Sequence, residues 1–393
     1  EDLNTITKKL GVLVETLNSN STGSIIDKAA SSPEDFQTVV RSKDDLAALL
    51  YTSGTTGKSK GAMLTQTNLL SNGNTLMEEW QFSKKDVLLH ALPLFHTHGL
   101  FVATNVMLSA GGSMILLPKF NLDDIIKNLP KSSAMMGVPT FYTRLLADNR
   151  LNKKLVNHMR LFVSGSAPLL SETHLQFEKI TGHRILERYG MTETNMNTSN
   201  PYTGERRAGT VGRPLMGVEL KITDPETEKE LSINEIGQIE VRGPNVFKGY
   251  WKLPDKTKKE LRENGFFITG DLGKIDEDGY VHIVGREKDL IISGGFNIYP
   301  KELEIFLDDR PGVLESAVIG VPCPDFGETP VAILVPSDVT PPDIAQIEKD
   351  IKKSIARYKH PRKIVLANEL PRNTMGKVQK NILRNDYKTL FSN

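Results

Sequence analysis

Short apolar runs alternate with amphipathic stretches through the first half of the chain, and this alternation limits the possible folds more than any other feature. The clearest runs cover residues 87–92, 113–117, 134–138 and 161–165, and stretches with helical spacing separate them. Strands and helices that alternate in this way are typical of a mostly parallel sheet covered by helices. The sequence therefore predicts a large α/β domain.

The pattern changes near residue 207. From there to about residue 285, Gly and Pro separate short strand-like runs, which predicts a small antiparallel or β-barrel-like subdomain. After Asp289, helix and strand patterns follow one another as in a small α+β domain. Because 393 residues exceed what one core usually serves, we expect a large domain over residues 1–287 and a small one over 288–393.

The composition narrows the classes of partner. A net charge of +1 gives no reason to expect nucleic acid or an anionic membrane surface as a partner. No apolar run approaches the roughly 20 residues of a membrane span. The single cysteine, Cys323, excludes a disulfide within the chain. These features leave small molecules as the expected partners.

Residues 51–61 read YTSGTTGKSKG and follow an apolar run, residues 46–50, that predicts a buried strand. Glycines let the backbone turn tightly around a ligand, and hydroxyl groups and lysines add donors and positive charge, which suits a polyphosphate. A Walker loop needs four residues between its first Gly and the Gly-Lys pair. Only Thr55 and Thr56 separate Gly54 from Gly57, so that loop is excluded. A flexible hairpin loop is the other interpretation.

The loop resembles the phosphate loop of the AMP-forming acyl-CoA synthetase, adenylation-domain and luciferase superfamily, and the resemblance continues almost to the C-terminus. It implies an ATP-dependent acid–thiol ligase that uses Mg²⁺ and CoA, forms an acyl-adenylate, and releases AMP and pyrophosphate. In the superfamily, a further stretch the size of a small domain precedes this point, so we expect a chain that lacks that stretch.

The resemblance distributes the nucleotide site over several separate blocks. A ring such as that of Tyr189 can stack on adenine, and the Asp271 carboxylate can accept hydrogen bonds from both ribose hydroxyls, reinforced by Arg286. A surface ion pair is the alternative interpretation of Asp271 and Arg286. The implied nucleotide-binding residues are Thr52, Ser53, Gly54, Thr55, Thr56, Gly57, Lys58, Ser166, Ala167, Pro168, Glu187, Tyr189, Gly190, Thr192, Asp271, Arg286 and Lys377.

The same resemblance assigns catalysis to Lys377, Thr192 and Glu193. A lysine can counter the charge that builds up on a reacting phosphate. One glutamate is enough for Mg²⁺, which relies largely on substrate phosphates. The Gly294-Gly295 pair is implied to line the CoA passage, and Lys288 to be a hinge. Rotation of a mobile C-terminal domain about this hinge would exchange Lys377 for the glycine loop between two half-reactions.

One charged residue bears on the identity of the acid. Arg144 lies in the segment with which the superfamily lines its acyl pocket, where an unpaired charge would be costly beside a fatty chain but could clamp a second carboxylate. An outward-facing helix charge is the alternative. Three runs resemble malonyl-CoA synthetases in particular: RYGMTETNMNTSN at 188–200, GPNVFKGYW at 243–251 and LPRNTMGKVQK at 370–380. This resemblance favours malonate over methylmalonate or acetate as the acid. The implied acid-binding residues are Arg144, His96, Ser164, Gly165 and Met191.

Other interpretations stay open at this point. His96 and His98 could bind zinc, although a third ligand is missing nearby in the sequence. The adenylate could be loaded onto a carrier protein instead of CoA. Outside the enzymes, the chain could be a non-catalytic nucleotide-binding relative. The resemblance is compatible with the cytoplasm of a bacterium or the mitochondrion of a eukaryote.

Overall fold

The computed structural model describes residues 3–18, 20–53, 59–337, 340–373 and 376–391. The chain forms two compact units, residues 1–42 and residues 43–393. The first unit contains two short helices, α1 (Leu3–Leu10) and α2 (Ser24–Ala30), and neither helix has a buried residue. All predicted site residues lie in the second unit.

The helices of the second unit are short, and a π turn leads into one of them. This turn covers His98–Ala103, directly before α4. Among the described residues, no helix is long and apolar enough to cross a membrane. The helices are α3 (Gln66–Glu79), α4 (Thr104–Ala110), α5 (Leu122–Asn128), α6 (Pro139–Leu146), α7 (Ser171–Thr181), α8 (Pro254–Glu260), α9 (Pro300–Asp308), α10 (Ile344–Ser354) and α11 (Lys380–Tyr387).

Within the described part of the chain, the strands form four sheets. They are β1 (Leu46–Ser53), β2 (Ser59–Thr65), β3 (Val87–His90), β4 (Ser113–Leu116), β5 (Ala134–Gly137), β6 (Leu161–Ser164), β7 (Leu186–Met191), β8 (Asn195–Ser199), β9 (Arg213–Pro214), β10 (Glu219–Thr223), β11 (Gly237–Arg242), β12 (Phe267–Ile275), β13 (Val281–Arg286), β14 (Ile291–Ser293), β15 (Phe296–Ile298), β16 (Val313–Cys323), β17 (Gly327–Pro336) and β18 (Lys363–Leu366).

The largest sheet has the strand order β4-β3-β5-β6-β7-β8-β9. The pairs from β4 to β7 are parallel, and β8 and β9 are antiparallel to their neighbours. Its apolar side chains, such as Leu88 and Phe162, pack in one buried core with Trp80, directly after α3, and with Phe177 of α7. The predicted helix-covered, mostly parallel sheet is confirmed. Its parallel strands end at one edge, so the loops that follow β3, β6 and β7 lie together.

The predicted small antiparallel sheet consists of β10, β11, β12 and β13 in sequence order. Each pair of neighbours is antiparallel, and the register places Asp271 of β12 directly opposite Arg286 of β13. Residues directly opposite one another in a sheet have close side chains. The register therefore brings a carboxylate and a guanidinium together.

The C-terminal sheet has the order β15-β14-β17-β16, with β18 parallel to β17. Alternate residues of its strands face opposite sides, as the period of two in a strand requires. Val318 packs with α9 and α10, whereas Ala317 and Ile319 pack with Leu383 of α11. This helix-covered sheet is the predicted small α+β domain.

The apolar run 46–50 is a strand, but it is not buried as expected. It forms β1, which pairs antiparallel with β2 in a two-stranded sheet, and Leu46 and Leu49 are 40% and 38% exposed. The partner strand is better covered, since Ala62 and Leu64 have no exposed surface. A two-stranded sheet that is covered on one side leaves the alternate residues of its outer face exposed.

Candidate active site

The ends of the parallel strands and the small antiparallel sheet meet in one cleft. Tyr189, at the end of β7, donates a hydrogen bond from its hydroxyl to Asp271 Oδ2 over 2.6 Å. Arg286 Nε lies 2.8 Å from the other oxygen of the same carboxylate. Asp271 is only 3% exposed, and its carboxylate raises the pKa of Arg286. The three predicted nucleotide contacts are thus held together by their own hydrogen bonds.

The turn after β6 contains Ser166, Ala167 and Pro168 and is held from two sides. Ser166 has a φ of 70°, a left-handed conformation that is uncommon for a residue with a side chain. Its hydroxyl lies 3.1 Å from Nδ1 of His98, in the π turn before α4. From the other side, Glu187 Oε1 accepts a hydrogen bond from the N–H of Leu169 over 3.0 Å. Burial raises the pKa of Glu187 to about 8, so its carboxyl group is mostly protonated at pH 7.

Arg188 is the site residue that sequence reasoning missed. It is 3% exposed, and its Nε and Nη2 atoms have no hydrogen-bond partner among the described residues. Burial lowers the pKa of Arg188 to about 9, because a low-dielectric environment disfavours the charged form. The signal in the sequence was a charged residue inside β7. The two residues that precede Arg188 in this strand, Leu186 and Glu187, are buried.

Gly165 leaves space for this guanidinium. A Cβ atom at Gly165 would lie 2.4 Å from Cζ and from Nη1 of Arg188, closer than any real contact. The preceding residue, Ser164, is fully buried, and its hydroxyl has no partner among the described residues. Two predicted acid-binding residues therefore lie beside a buried cation.

Two histidines lie in the same region, and both are neutral at pH 7. Burial, together with the charges of Lys377 and Arg188, lowers the pKa of His96 to about 4. His98 has no exposed surface, and burial lowers its pKa well below the usual value. The described residues contain no group of three or more His, Cys, Asp and Glu side chains that could hold a metal. The zinc interpretation thus has no ligand set in the described part of the chain.

Arg144 is the other charged residue predicted for the acid pocket, and that role stays a prediction. Its side chain is exposed, and its guanidinium lies 5.7 Å from the centre of the Phe120 ring. The buried side of α6 is formed by Phe141, Tyr142 and Leu145. Position 144 falls outside that stripe on a helix of 3.6 residues per turn. The alternative interpretation, an outward-facing helix charge, describes its position.

Glu193 follows β7 and is buried beside Tyr250. Glu193 is 4% exposed, and its Oε1 lies 2.9 Å from the hydroxyl oxygen of Tyr250. Burial and two neighbouring carboxylates raise the pKa of Tyr250, so its hydroxyl keeps its proton. Because Mg²⁺ takes one or two carboxylates and completes its shell with water and substrate phosphates, this single carboxylate fits a magnesium site.

Lys377 reaches the cleft from the C-terminal domain. Its side chain is exposed, yet its pKa is lowered, first because nearby protein atoms displace water from the ammonium group and then through the charge of Arg286. Asp271, Arg188 and Glu193 also act on this ammonium group. Gly376 lies near Thr140 at the start of α6, since a Cβ there would be 3.9 Å from that side chain. The predicted lysine therefore joins the predicted ribose pair and the predicted magnesium ligand.

The two predicted elements of the domain exchange lie in the turns that flank β14. Gly294 and Gly295 connect β14 to β15, with φ angles of 57° and 84°. Two consecutive residues with positive φ form the type I′ turn of a two-residue hairpin. Lys288 lies in a short 3₁₀ turn, Glu287–Asp289, between β13 and β14.

The remaining predicted residues are placed as follows. The central part of the phosphate loop, Gly54 to Lys58, lies outside the described residues. Thr52 and the backbone of Ser53 end β1, and the Thr52 hydroxyl is buried without a partner among the described residues. Gly190 and Met191 end β7, where a Cβ at Gly190 would be 1.8 Å from the carbonyl oxygen of Asn195. Thr192 follows in the turn before β8.

Comparison with known proteins identifies both parts of the chain. The family model described as AMP-binding enzyme matches residues 2–251. The family model described as AMP-binding enzyme C-terminal domain matches residues 302–377. Neither model tests the predicted domain boundary at residue 288, which lies between the two matches.

Among curated proteins, the malonate–CoA ligase of Arabidopsis thaliana is 37% identical over 98% of this chain and 68% of its own length. The long-chain-fatty-acid–CoA ligase of Bacillus subtilis is also 37% identical, over 85% of this chain and 60% of its own length. These two relatives are equally similar but act on different acids, so overall identity does not decide the acid.

Among solved structures, ATP-bound MatB from Rhodopseudomonas palustris is 59% identical, with a TM-score of 0.97 over 99% of this chain and 78% of that one. The apo structure of MatB has the same identity and coverage but a TM-score of 0.82. The predicted superfamily, its fold, and its use of ATP, Mg²⁺ and CoA are confirmed by these matches. The chain therefore belongs to the AMP-binding enzyme family.

Proposed function

We propose that this protein is a malonate–CoA ligase, which uses ATP to form malonyl-adenylate and transfers the malonyl group to CoA. The observation that carries the choice of malonate is Arg188, a 3% exposed guanidinium with two nitrogen atoms that lack partners among the described residues. Leaving such a group unpaired costs stability, whereas a carboxylate can accept two parallel hydrogen bonds from it.

The charge of Arg188 separates malonate from the acid of the Bacillus relative. A fatty chain beside Arg188 would leave the guanidinium unpaired, but the distal carboxylate of malonate would neutralise it. His98 supports the same assignment, because its Nε2 is buried without a partner among the described residues. If the Ser166 hydroxyl donates to Nδ1, Nε2 carries the proton and is a second donor for that carboxylate.

In the first half-reaction, one carboxylate of malonate attacks the α-phosphorus of ATP and pyrophosphate leaves. The residues of this chain contribute orientation and charge stabilisation. Asp271 and Arg286 hold the ribose, and Lys377 counters negative charge on the reacting groups. Glu193 would hold Mg²⁺, which would supply positive charge against the phosphates of ATP.

In the second half-reaction, the CoA thiol attacks the activated carbonyl and AMP leaves. Residues 288–393 rotate about Lys288, so that Lys377 leaves the cleft and the Gly294-Gly295 hairpin enters it. Two observations support this step. Lys377 lies in the cleft here, and the chain matches ATP-bound MatB with a TM-score of 0.97 but apo MatB with 0.82.

An acid screen tests the proposed function. AMP formation is measured with ATP, Mg²⁺ and CoA, and with malonate, methylmalonate, succinate, acetate, butyrate or octanoate as the acid. We expect the largest kcat/KM with malonate. A preference for octanoate or butyrate would contradict the assignment, and the absence of pyrophosphate release with every acid would favour a non-catalytic relative.

A pair of arginine variants tests the role of Arg188. Arg188→Met keeps much of the side-chain volume without the charge, and we expect kcat/KM for malonate to fall about 100-fold, as for the loss of one partner of a buried charge pair. Arg144→Met is the matched control, because Arg144 is exposed, and it should stay within about threefold of wild type. An unchanged ratio of malonate to butyrate activity in Arg188→Met would refute the role of Arg188.

A further inference from the structure

The Tyr250 hydroxyl lies between two carboxylates. Its oxygen is 2.9 Å from Oε1 of Glu193 and 2.7 Å from Oε2 of Glu260. Lys60 Nζ donates a hydrogen bond to the same oxygen over 3.1 Å. A phenol carries one proton, so it can donate to only one of the two carboxylates at a time.

The two carboxylates differ in their other partners. Glu260 has Lys256 Nζ at 2.5 Å and Lys60 Nζ at 3.7 Å, so two ammonium groups compensate its charge. Glu193 is buried, and among the described residues Tyr250 is the hydrogen-bond donor that reaches its carboxylate. The hydrogen bond donated by the phenol therefore stabilises Glu193 more than it stabilises Glu260.

The backbone around Tyr250 ties the same elements together. We call residues 245–251 the bridging segment. The N–H of Phe247 donates to the carbonyl oxygen of Glu193 over 2.8 Å. The N–H of Lys248 and that of Trp251 donate to carbonyl oxygens of β2, at Met63 over 2.9 Å and at Gly61 over 2.8 Å. Since β2 begins at Ser59, the segment connects Glu193 to the strand that leaves the phosphate loop.

We propose that Tyr250 is a positioning residue for adenylation, whose hydroxyl orients the Glu193 carboxylate for the Mg²⁺ of MgATP. The proposal rests on the adenylation step of the proposed function and is independent of the acid. Mg²⁺ demands near-octahedral geometry, so a carboxylate that is free to rotate binds it less well. Residues that hydrogen-bond to a metal ligand typically contribute about 10- to 100-fold in metal affinity.

The test compares nucleotide binding with and without Mg²⁺ by isothermal titration calorimetry. A non-hydrolysable ATP analogue is titrated into the wild type and into Tyr250→Phe, once with Mg²⁺ and once with EDTA. We expect Mg²⁺ to tighten binding to the wild type, and this enhancement to be about tenfold smaller in Tyr250→Phe. Affinity in EDTA should be the same in both proteins, because the hydroxyl acts only through the metal ligand.

Two further variants calibrate the result. Tyr280→Phe removes a comparable hydroxyl outside the cleft, since Tyr280 is 2% exposed and donates to the carbonyl oxygen of Glu205 over 2.8 Å. Its Mg²⁺ enhancement should equal that of the wild type. Glu193→Gln should lose the enhancement and so set the maximum effect.

Two outcomes would overturn the proposal. One is that Mg²⁺ tightens binding of the analogue to Tyr250→Phe as much as it tightens binding to the wild type. The other is an equal loss of affinity in Mg²⁺ and in EDTA, which would indicate a purely structural role. Failure of the wild type to bind the analogue at all would instead count against the adenylation function, so the two failures are distinguishable.

Discussion

Single charged residues decide what this cleft can bind. Arg188 and Lys377 are two cations in one region, and both have lowered pKa values because burial disfavours their charged forms. A site that concentrates positive charge in this way is suited to substrates that bring negative charge, such as a dicarboxylate and a polyphosphate. Burial, reinforced by the charges of the same two cations, lowers the pKa of His96 to about 4 and keeps it neutral.

Lys377 allows the two half-reactions to be separated. We expect Lys377→Ala to slow malonyl-adenylate formation by about 100-fold or more, the usual cost of removing one group that stabilises developing charge. Thioester formation from supplied malonyl-adenylate should stay within a few-fold of wild type, because the proposed rotation removes the lysine from the cleft before that step. Rapid-quench measurement of each half-reaction checks this, with the exposed Lys363 changed to Ala as the control. Equal slowing of both steps would contradict domain exchange.

At the scale of elements, the hairpin β14–β15 turns through two glycines. Gly294 and Gly295 both have positive φ, which residues with a Cβ rarely adopt. A Cβ at Gly294 would lie 3.0 Å from the Phe326 ring, whereas a Cβ at Gly295 would have no neighbour within 4 Å. The absence of a side chain at Gly295 is therefore not explained by packing in this arrangement.

We expect Gly295→Ala to slow thioester formation and to spare adenylate formation. The added methyl group meets nothing in the present arrangement, but it would narrow the path of CoA once the hairpin enters the cleft. Gly279→Ala is the matched control, because Gly279 also has positive φ, at 82°, and no neighbour within 4 Å. Both variants should lose about 1 kcal/mol of stability from backbone strain. A thioester rate like that of the control would refute the role of the hairpin in the passage.

For the whole molecule, buried titratable groups set how stability depends on pH. Among the described residues, burial lowers the pKa of five histidines: His90, His96, His98, His174 and His183. Between its lowered folded-state pKa and the ordinary value of about 6.5, such a histidine binds more protons in the unfolded chain, so it makes stability rise with pH. Two acids act in the opposite sense, since burial raises the pKa of Glu187 to about 8 and that of Asp308 to about 6.

We therefore expect a stability maximum near pH 6.5. The histidines outnumber the two acids, so the free energy of unfolding should rise from pH 4.5 to pH 6.5, by about 1 kcal/mol or more per pH unit. From pH 6.5 to pH 8, the free energy of unfolding should fall by up to about 1 kcal/mol per pH unit, because Glu187 keeps its proton in the native state whereas it is already ionised in the unfolded chain. Urea unfolding at half-unit pH steps measures the curve, and Glu187→Gln should remove the decline above pH 6.5. A flat curve below pH 6.5 would show that the histidines are not buried as neutral groups.

Much of the fold was predictable because its signals are local. The alternation of apolar runs with helical spacing predicted the helix-covered sheet, and the Gly- and Pro-rich stretch predicted the small sheet of β10–β13. The run 46–50 predicts a buried strand because it is apolar throughout. Its exposure depends on what covers β1, and that is not written in the run itself.

The sequence by itself determined the family of this protein, because several blocks of glycines, hydroxyl groups, lysines and carboxylates resemble those of the AMP-forming superfamily. Only the tertiary structure decided which charges face the cleft. Arg144 and Arg188 carry the same group, yet one lies on the outer side of α6 and the other lies in β7 against Gly165. Likewise, Tyr250 meets Glu193 across 57 residues of chain. The physical reason is that burial and hydrogen bonding depend on the neighbours of a side chain in space, which arise only when distant segments pack together.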